Sequence, residues 1–142
     1  MGGRQEVRQH VRLAKGFMET AAIRDDSDEF QIRNALSRSY YALFHACHGW
    51  LAMKNVPESK RKHHQDLFAE IRSKRGREFG DRLEGFRSLR NGADYDRPQL
   101  FPPDSVQDEL ERFRLRAGES LGHMEKEFNT YASEIDSFLE SR

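Results

Sequence analysis

The chain has 142 residues, and its 24 Lys and Arg are matched by 24 Asp and Glu, so the formal net charge is zero at neutral pH. That length suits one domain, 1–142, around a single core, and the balance excludes a polycation that would coat nucleic acid by charge alone. With 34% charged residues, no apolar run long enough for a bilayer, and an N-terminal Met-Gly-Gly-Arg-Gln-Glu lacking a signal peptide's apolar core, a cytoplasmic protein with no membrane partner is expected.

The charge is unevenly divided. Lys60 to Arg90 holds ten Lys/Arg against five Asp/Glu, whereas Asp104 to Arg142 holds five against ten. Such a dipolar chain can offer a positive groove to nucleic acid, or match its own basic and acidic helices internally or across a dimer.

Apolar spacing predicts a first helix over about 4–23, with Val7, Val11, Leu13, Ala14, Phe17, Met18 and Ala21 on one face. Asp26 and Glu29 stand three apart, as an N-cap and its reciprocal partner do. They predict a long second helix to about Asn55, striped by Ile32, Ala35, Leu36, Tyr40, Leu43, Phe44, Cys47, Trp50 and Leu51. Cys47 lies in that stripe and reads as a small buried residue. Tyr41, His45 and His48 fall toward its flank. His45 and His48 have the spacing of two metal ligands, but no third follows at helical or loop spacing. No metal or other cofactor is therefore expected, and the histidines read as hydrogen-bonding groups at a helix or subunit interface.

Val56-Pro57 breaks the helix. Lys60-Arg61-Lys62-His63-His64 then leads, basic and exposed, into a short third helix carrying Leu67, Phe68 and Ile71 and ending near Arg75-Gly76. A fourth, over about 78–93, turns Phe79, Leu83, Phe86 and Leu89 inward, and Gly92 and Pro98 end it. Leu100-Phe101-Pro102-Pro103 forms a rigid connection, and Asp104 with Gln107 offers the next N-cap pair. In the last and longest helix Leu110, Ala117, Met124, Tyr131 and Phe138 recur every seven residues, the seam of a helix packed lengthwise on others. Gly118 and Gly122 would permit close helix approach there. The expected fold is all-α, an antiparallel bundle of four main helices plus a short fifth. Trp50, Tyr41 and Phe101, with no evident place inside one bundle, favour a homodimer.

The polar end of the fourth helix, R-S-L-R-N-G-A-D-Y-D-R-P from Arg87 to Pro98, carries the functional expectation. Arg87, Arg90, Asn91 and Asp94 lie at i, i+3, i+4 and i+7 on one helix face, with Tyr95 beside Asn91. Two arginines at one place repel unless an anion or carboxylates lie between them, and an RNA or nucleotide phosphate fits. In the plainer reading Arg90 pairs with Asp94 and the stretch only ends a helix.

The pairing of S-R-S-Y-Y-A-L-F-H-A on the second helix with R-S-L-R-N-G-A-D-Y-D on the fourth resembles the HEPN family over most of the chain, including the basic histidine segment Lys62 to His64. The resemblance implies a helical bundle, usually a homodimer, that binds RNA or nucleotides. Many such proteins are metal-independent ribonucleases, and several act as toxins beside a small nucleotidyltransferase antitoxin. Arg90 and Asn91 match the nuclease motif, but Tyr95, Asp96 and Arg97 stand where its histidine would be, a form similar to a less characterised branch.

Metal-free cleavage needs a base of near-neutral pKa and a cation on the developing phosphorane charge. Tyr95, with an ordinary pKa near 10, donates a hydrogen bond better than it accepts a proton, so the base would be another histidine such as His45. Three readings follow: a module holding phosphate, or docking a nucleotidyltransferase, through Arg87, Arg90 and Asn91; a ribonuclease using Arg90, Asn91 and Tyr95, supported by Asp94 and His45; and a structural helical interaction domain, in which Arg90 is fully paired.

Overall fold

In the computed structural model, residues 3–94 and 109–141 are described, and among them the fold is all-helical, without strands. The helices are α1 (Gly3–Ala22), α2 (Glu29–Met53), α3 (His64–Lys74), α4 (Arg77–Asp94) and α5 (Glu109–Glu140), with one 3₁₀ turn at Glu58–Lys60. Tyr95 to Asp108, and with them Tyr95, Pro98, Phe101 and the Asp104–Gln107 cap, lie outside the described residues, as does the side chain of Leu110.

Helix α2 is the centre, packing against α1, α3, α4 and α5. Its burial reflects this position: Leu36, Leu43, Cys47 and Leu51 form one buried side, while Ser37, His48, Gly49 and Ala52 are buried on the others, the pattern of an element with neighbours on several faces. Trp50, expected to lack a place inside a single bundle, is only 4% exposed. Its ring packs edge-on to Tyr131, and its Nε1 donates to Glu134 at 3.2 Å. The amphipathic indole thus joins α2 to α5 within one chain. The seven-residue seam of α5 is buried at Ala117, Met124 and Tyr131, with Leu121, Phe128 and Ile135 beside it, and becomes half-buried at Phe138.

The helix ends follow local chemistry. The N-cap of α2 is Asp28, not Asp26: Asp28 Oδ1 accepts from the backbone N–H groups of Phe30 at 2.9 Å and Gln31 at 3.4 Å. Asp26 instead receives Arg24 Nε at 2.7 Å. At the other end of α2, Asn55 takes a positive φ of 65° and Val56 N–H returns to Leu51 C=O at 2.9 Å, closing the helix one residue before Pro57. Gly76, at φ 139°, closes α3, a conformation that glycine adopts without a Cβ penalty.

Three further expectations are corrected. Leu13 is 44% exposed, on the edge of the α1 stripe rather than inside it. Gly118 and Gly122 make no close helix approach: a Cβ at either would meet nothing within 4 Å. The tight crossings are elsewhere. A Cβ on Gly80 would come 2.8 Å from Phe68 C=O, and one on Gly49 would come 3.2 Å from His10 Cβ. Arg61, placed by its basic neighbours on an exposed front, is fully buried. Its Nη2 donates to Glu6 at 2.6 Å, its Nε to Val56 C=O at 3.2 Å and its Nη1 to His48 Nδ1 at 2.8 Å, so a guanidinium with three separate acceptors can be accommodated inside.

Candidate functional site

Helix α4 lays its last two turns across α2 near the start of α3, and this crossing gathers the polar groups. Arg90 Nη1 donates to Tyr41 Oη at 3.1 Å and to Asp94 Oδ2 at 3.3 Å. Its Cζ stands 5.1 Å from the Tyr41 ring centroid and 5.5 Å from that of Tyr40, within cation–π range of both. Asp94, at the end of α4, also accepts from Ser37 Oγ at 3.2 Å, and Arg33 Nη1 donates to Gly92 C=O at 3.2 Å. These bonds dock the last turn of α4 on α2 and satisfy a carbonyl that a helix end leaves open.

Arg90 is only partly paired. Its Nε is enclosed without a hydrogen-bond partner. Arg87, one turn earlier and half-buried, makes no hydrogen bond or ion pair among the described residues, and its Nε is likewise enclosed. Asn91 is half-buried with its amide unengaged among those residues. A buried donor without an acceptor costs about 1–3 kcal/mol. The cluster therefore carries polar capacity that the described fold leaves unused.

The histidine facing these arginines is His64, the first residue of α3. Its Nδ1 lies 2.7 Å from Tyr40 Oη, and its ring centroid is 4.7 Å from that of Phe44. Burial, followed by the fields of Arg87 and Arg90, lowers its pKa to about 4. Burial raises the Tyr40 phenol well above its ordinary value, against the pull of the same two arginines. Near neutral pH, Tyr40 is thus protonated and His64 neutral. The contact accommodates either tautomer: Tyr40 Oη donates to Nδ1 when the ring proton is on Nε2, and accepts from Nδ1–H when it is on Nδ1, which leaves the Nε2 lone pair free.

His45, the expected supporting histidine, belongs to a different cluster. Its ring stacks on Phe17 at 5.7 Å and on His10 at 5.6 Å, with His45 Nδ1 3.3 Å from His10 Nδ1. Burial and then His10 lower its pKa to about 4. His48, expected on the flank, is buried, and accepts from Arg61 through Nδ1, which assigns its proton to Nε2. Among the described residues no group of three or more His, Cys, Asp or Glu side chains could hold a metal, and no helix is long and apolar enough to cross a membrane. Cys47 is fully buried, and burial raises its thiol pKa to about 12, so it has no nucleophilic character near neutrality.

Arg87, Arg90 and Asp94 are thus brought together as their helical spacing predicts, with Asn91 on the same helix. His45 is not joined to them, and Tyr95 lies outside the described residues. Helical spacing alone does not bring Tyr40 and His64 to this place. They come from different helices, and only the order of basic and histidine residues before α3 hinted at a role. Comparison of the chain with family models, curated proteins and solved structures finds no match.

Proposed function

We propose that the chain is a HEPN-like module that binds the phosphate of RNA or of a nucleotide among Arg87, Arg90 and His64, on a frame of four long helices and a short one. One observation carries this reading: two neighbouring arginines hold enclosed, unpartnered Nε groups beside a histidine whose basicity is lowered by burial and then by their charge. A phosphate there would accept from the guanidinium groups, and its charge would offset their mutual repulsion. Asn91, on the same helix as the arginines, supplies an amide for a phosphate oxygen or ribose hydroxyl. The resemblance in the α2 and α4 motifs supports the same ligand class, and also a homodimer and a small nucleotidyltransferase partner in a toxin–antitoxin setting. The exposed Ile23, Phe30 and Leu115 provide apolar surface for such contacts.

A second reading, metal-independent ribonuclease, is favoured by the placement of His64. It requires a base, and the bound phosphate would raise the His64 pKa toward its working range by offsetting the arginine field. With its ring proton on Nδ1, donated to Tyr40 Oη, His64 would take the ribose 2′-hydroxyl proton on Nε2 as that oxygen attacks phosphorus, the 5′-oxygen of the next nucleotide would leave with a proton from water to give a 2′,3′-cyclic phosphate, and Arg87 and Arg90 would stabilise the phosphorane.

The test is incubation of the protein with labelled RNA in the presence of a chelator, together with filter binding across a salt series. Binding that weakens with salt by about 0.7 log units per decade for each phosphate neutralised, and that collapses in Arg90→Ala, supports the module. Cleavage that is lost in His64→Ala while binding persists supports the nuclease. RNA and nucleotide binding unaltered in Arg87→Ala and Arg90→Ala would refute both.

A further inference from the structure

Beside the arginine cluster, on the face formed by α1 and α2, a shallow, solvent-open depression of about 410 Å³ is lined by Arg12, Leu13, Gly16, Phe17, Thr20 and Arg38. Its walls hold two guanidinium groups and no carboxylate. Neither Arg12 nor Arg38 makes a hydrogen bond or ion pair among the described residues, and the Nε of Arg38 is enclosed without a partner. The remaining wall is apolar: Leu13 is 44% exposed, and the half-buried Phe17 ring is held between Tyr41 and His45, its centroid 5.7 Å from each. Thr20 contributes no free donor, since its hydroxyl donates to Gly16 C=O at 2.8 Å.

The depression is connected to the arginine cluster through Tyr41. The Tyr41 ring centroid lies 5.7 Å from that of Phe17 and 5.1 Å from Arg90 Cζ. Phe17 is therefore within about 11 Å of Arg90 Cζ, the sum of those separations. Arg38 precedes Tyr41 by three residues on α2 and shares its face. A continuous path thus runs from two arginines, across aromatic rings, to two more arginines.

We infer that this groove is a second subsite for single-stranded RNA, taking the nucleotide next to the one whose phosphate sits at Arg87 and Arg90. Its base lies against Phe17 and Leu13, and its phosphate is held by Arg12 and Arg38. The inference rests on the phosphate-binding reading above. The features required of a single-strand groove are a cationic lining and an aromatic surface that accepts any base, and both are present. Charge selects the occupant: the uncompensated guanidinium groups match a polyanion, and an apolar protein segment would leave them unpaired.

The experiment compares labelled oligouridylate with uridine monophosphate, on the wild-type protein and on Arg38→Ala, Gly16→Glu and Arg90→Ala. Gly16 suits the test because a Cβ there meets nothing within 4 Å, so the glutamate places a negative charge in the groove without a clash. Arg38→Ala is expected to bind oligouridylate several-fold more weakly and to reduce the salt slope by about 0.7. Gly16→Glu is expected to weaken it more, and both should leave the monophosphate affinity unchanged. Arg90→Ala should weaken both ligands. Wild-type affinity and slope for oligouridylate in Arg38→Ala and Gly16→Glu would overturn the subsite while leaving the Arg90 site standing. Absence of Arg90-dependent binding of either ligand would overturn the underlying reading, and the subsite with it. A changed oligomeric state in Gly16→Glu with unchanged RNA binding would assign the groove to a second copy of the chain and also overturn the inference.

Discussion

Tyr40 and His64 join α2 to the start of α3 through a 2.7 Å contact between the phenolic oxygen and Nδ1. The contact fixes the ring that faces Arg87 and Arg90 and ties its tautomer to the direction of the hydroxyl proton. Tyr40→Phe keeps the buried ring and removes only the hydroxyl. It should cost about 0.5–1.5 kcal/mol in denaturant unfolding and let the His64 ring reorient, read as a broadened or shifted imidazole resonance. Wild-type stability with an unaltered His64 signal would show that the contact has no energetic role.

Anion binding should be visible in the titration of His64. Its pKa in the free protein is lowered to about 4, first by burial and then by Arg87 and Arg90. A phosphate beside the arginines cancels their field and raises that value. Because the bound-state pKa is the higher one, affinity gains from His64 protonation as pH falls through the bound-state value, and the gain is complete below the free value. NMR titration with and without uridine monophosphate measures both. An identical His64 pKa in the two conditions would contradict phosphate binding at this place.

Acid should destabilise the fold earlier than carboxylate protonation alone would. His10, His45, His48 and His64 all have pKa values lowered from 6.5, mainly by burial, with His45 and His64 at about 4 and His48 at about 3. The unfolded chain binds protons at these groups before the folded one does. Their contribution to stability is therefore present in full above about pH 6.5 and is lost progressively as pH falls through the folded values. Glu6 partly opposes this at His10, whereas Arg61 and the neighbouring histidines reinforce it. Thermal melts between pH 7 and pH 4 should show a falling Tm, with a shallower fall in His45→Phe, which keeps the stack on Phe17 and removes one titrating group.

The glycines separate close packing from open surface. Gly80→Ala forces a methyl against Phe68 C=O and should destabilise by about 1–3 kcal/mol. Gly118→Ala and Gly122→Ala enter open space in mid-helix and should stabilise by about 0.5–1 kcal/mol. Equal effects at Gly80 and Gly118 in urea unfolding would contradict the crossing geometry.

Apolar periodicity made the helices legible. The buried seam of α5 and the broad stripe of α2 follow from residue spacing, as does the assembly of Arg87, Arg90 and Asp94, because helical neighbours need no tertiary information. The misplaced features depend on contacts distant in sequence. Arg61 reads as solvated among Lys60, Lys62 and His63 until Glu6, His48 and Val56 are brought around it. Trp50 looks surplus until Glu134 and Tyr131 meet it from α5. His64 cannot be recognised as the partner of Arg87 and Arg90 from spacing, since they are separated by most of α3 and α4. The α2 cap shows a finer limit: Asp25, Asp26 and Asp28 all precede the helix, and backbone geometry rather than residue type decides which one caps it.

The buried Arg61 carries a consequence for the order in which the chain is completed. It anchors the segment leading into α3, and its carboxylate partner, Glu6, comes from the first turn of α1. Glu6→Gln should therefore cost on the order of 2 kcal/mol, whereas Lys60→Ala and Lys62→Ala, at exposed positions, should stay within about 0.5 kcal/mol. During synthesis α1 must wait for the sixty-first residue before that charge is matched, so α1 and the α2–α3 segment become native together. Deleting the first turns of α1 should loosen His64, and with it a binding cluster to which those turns contribute no side chain.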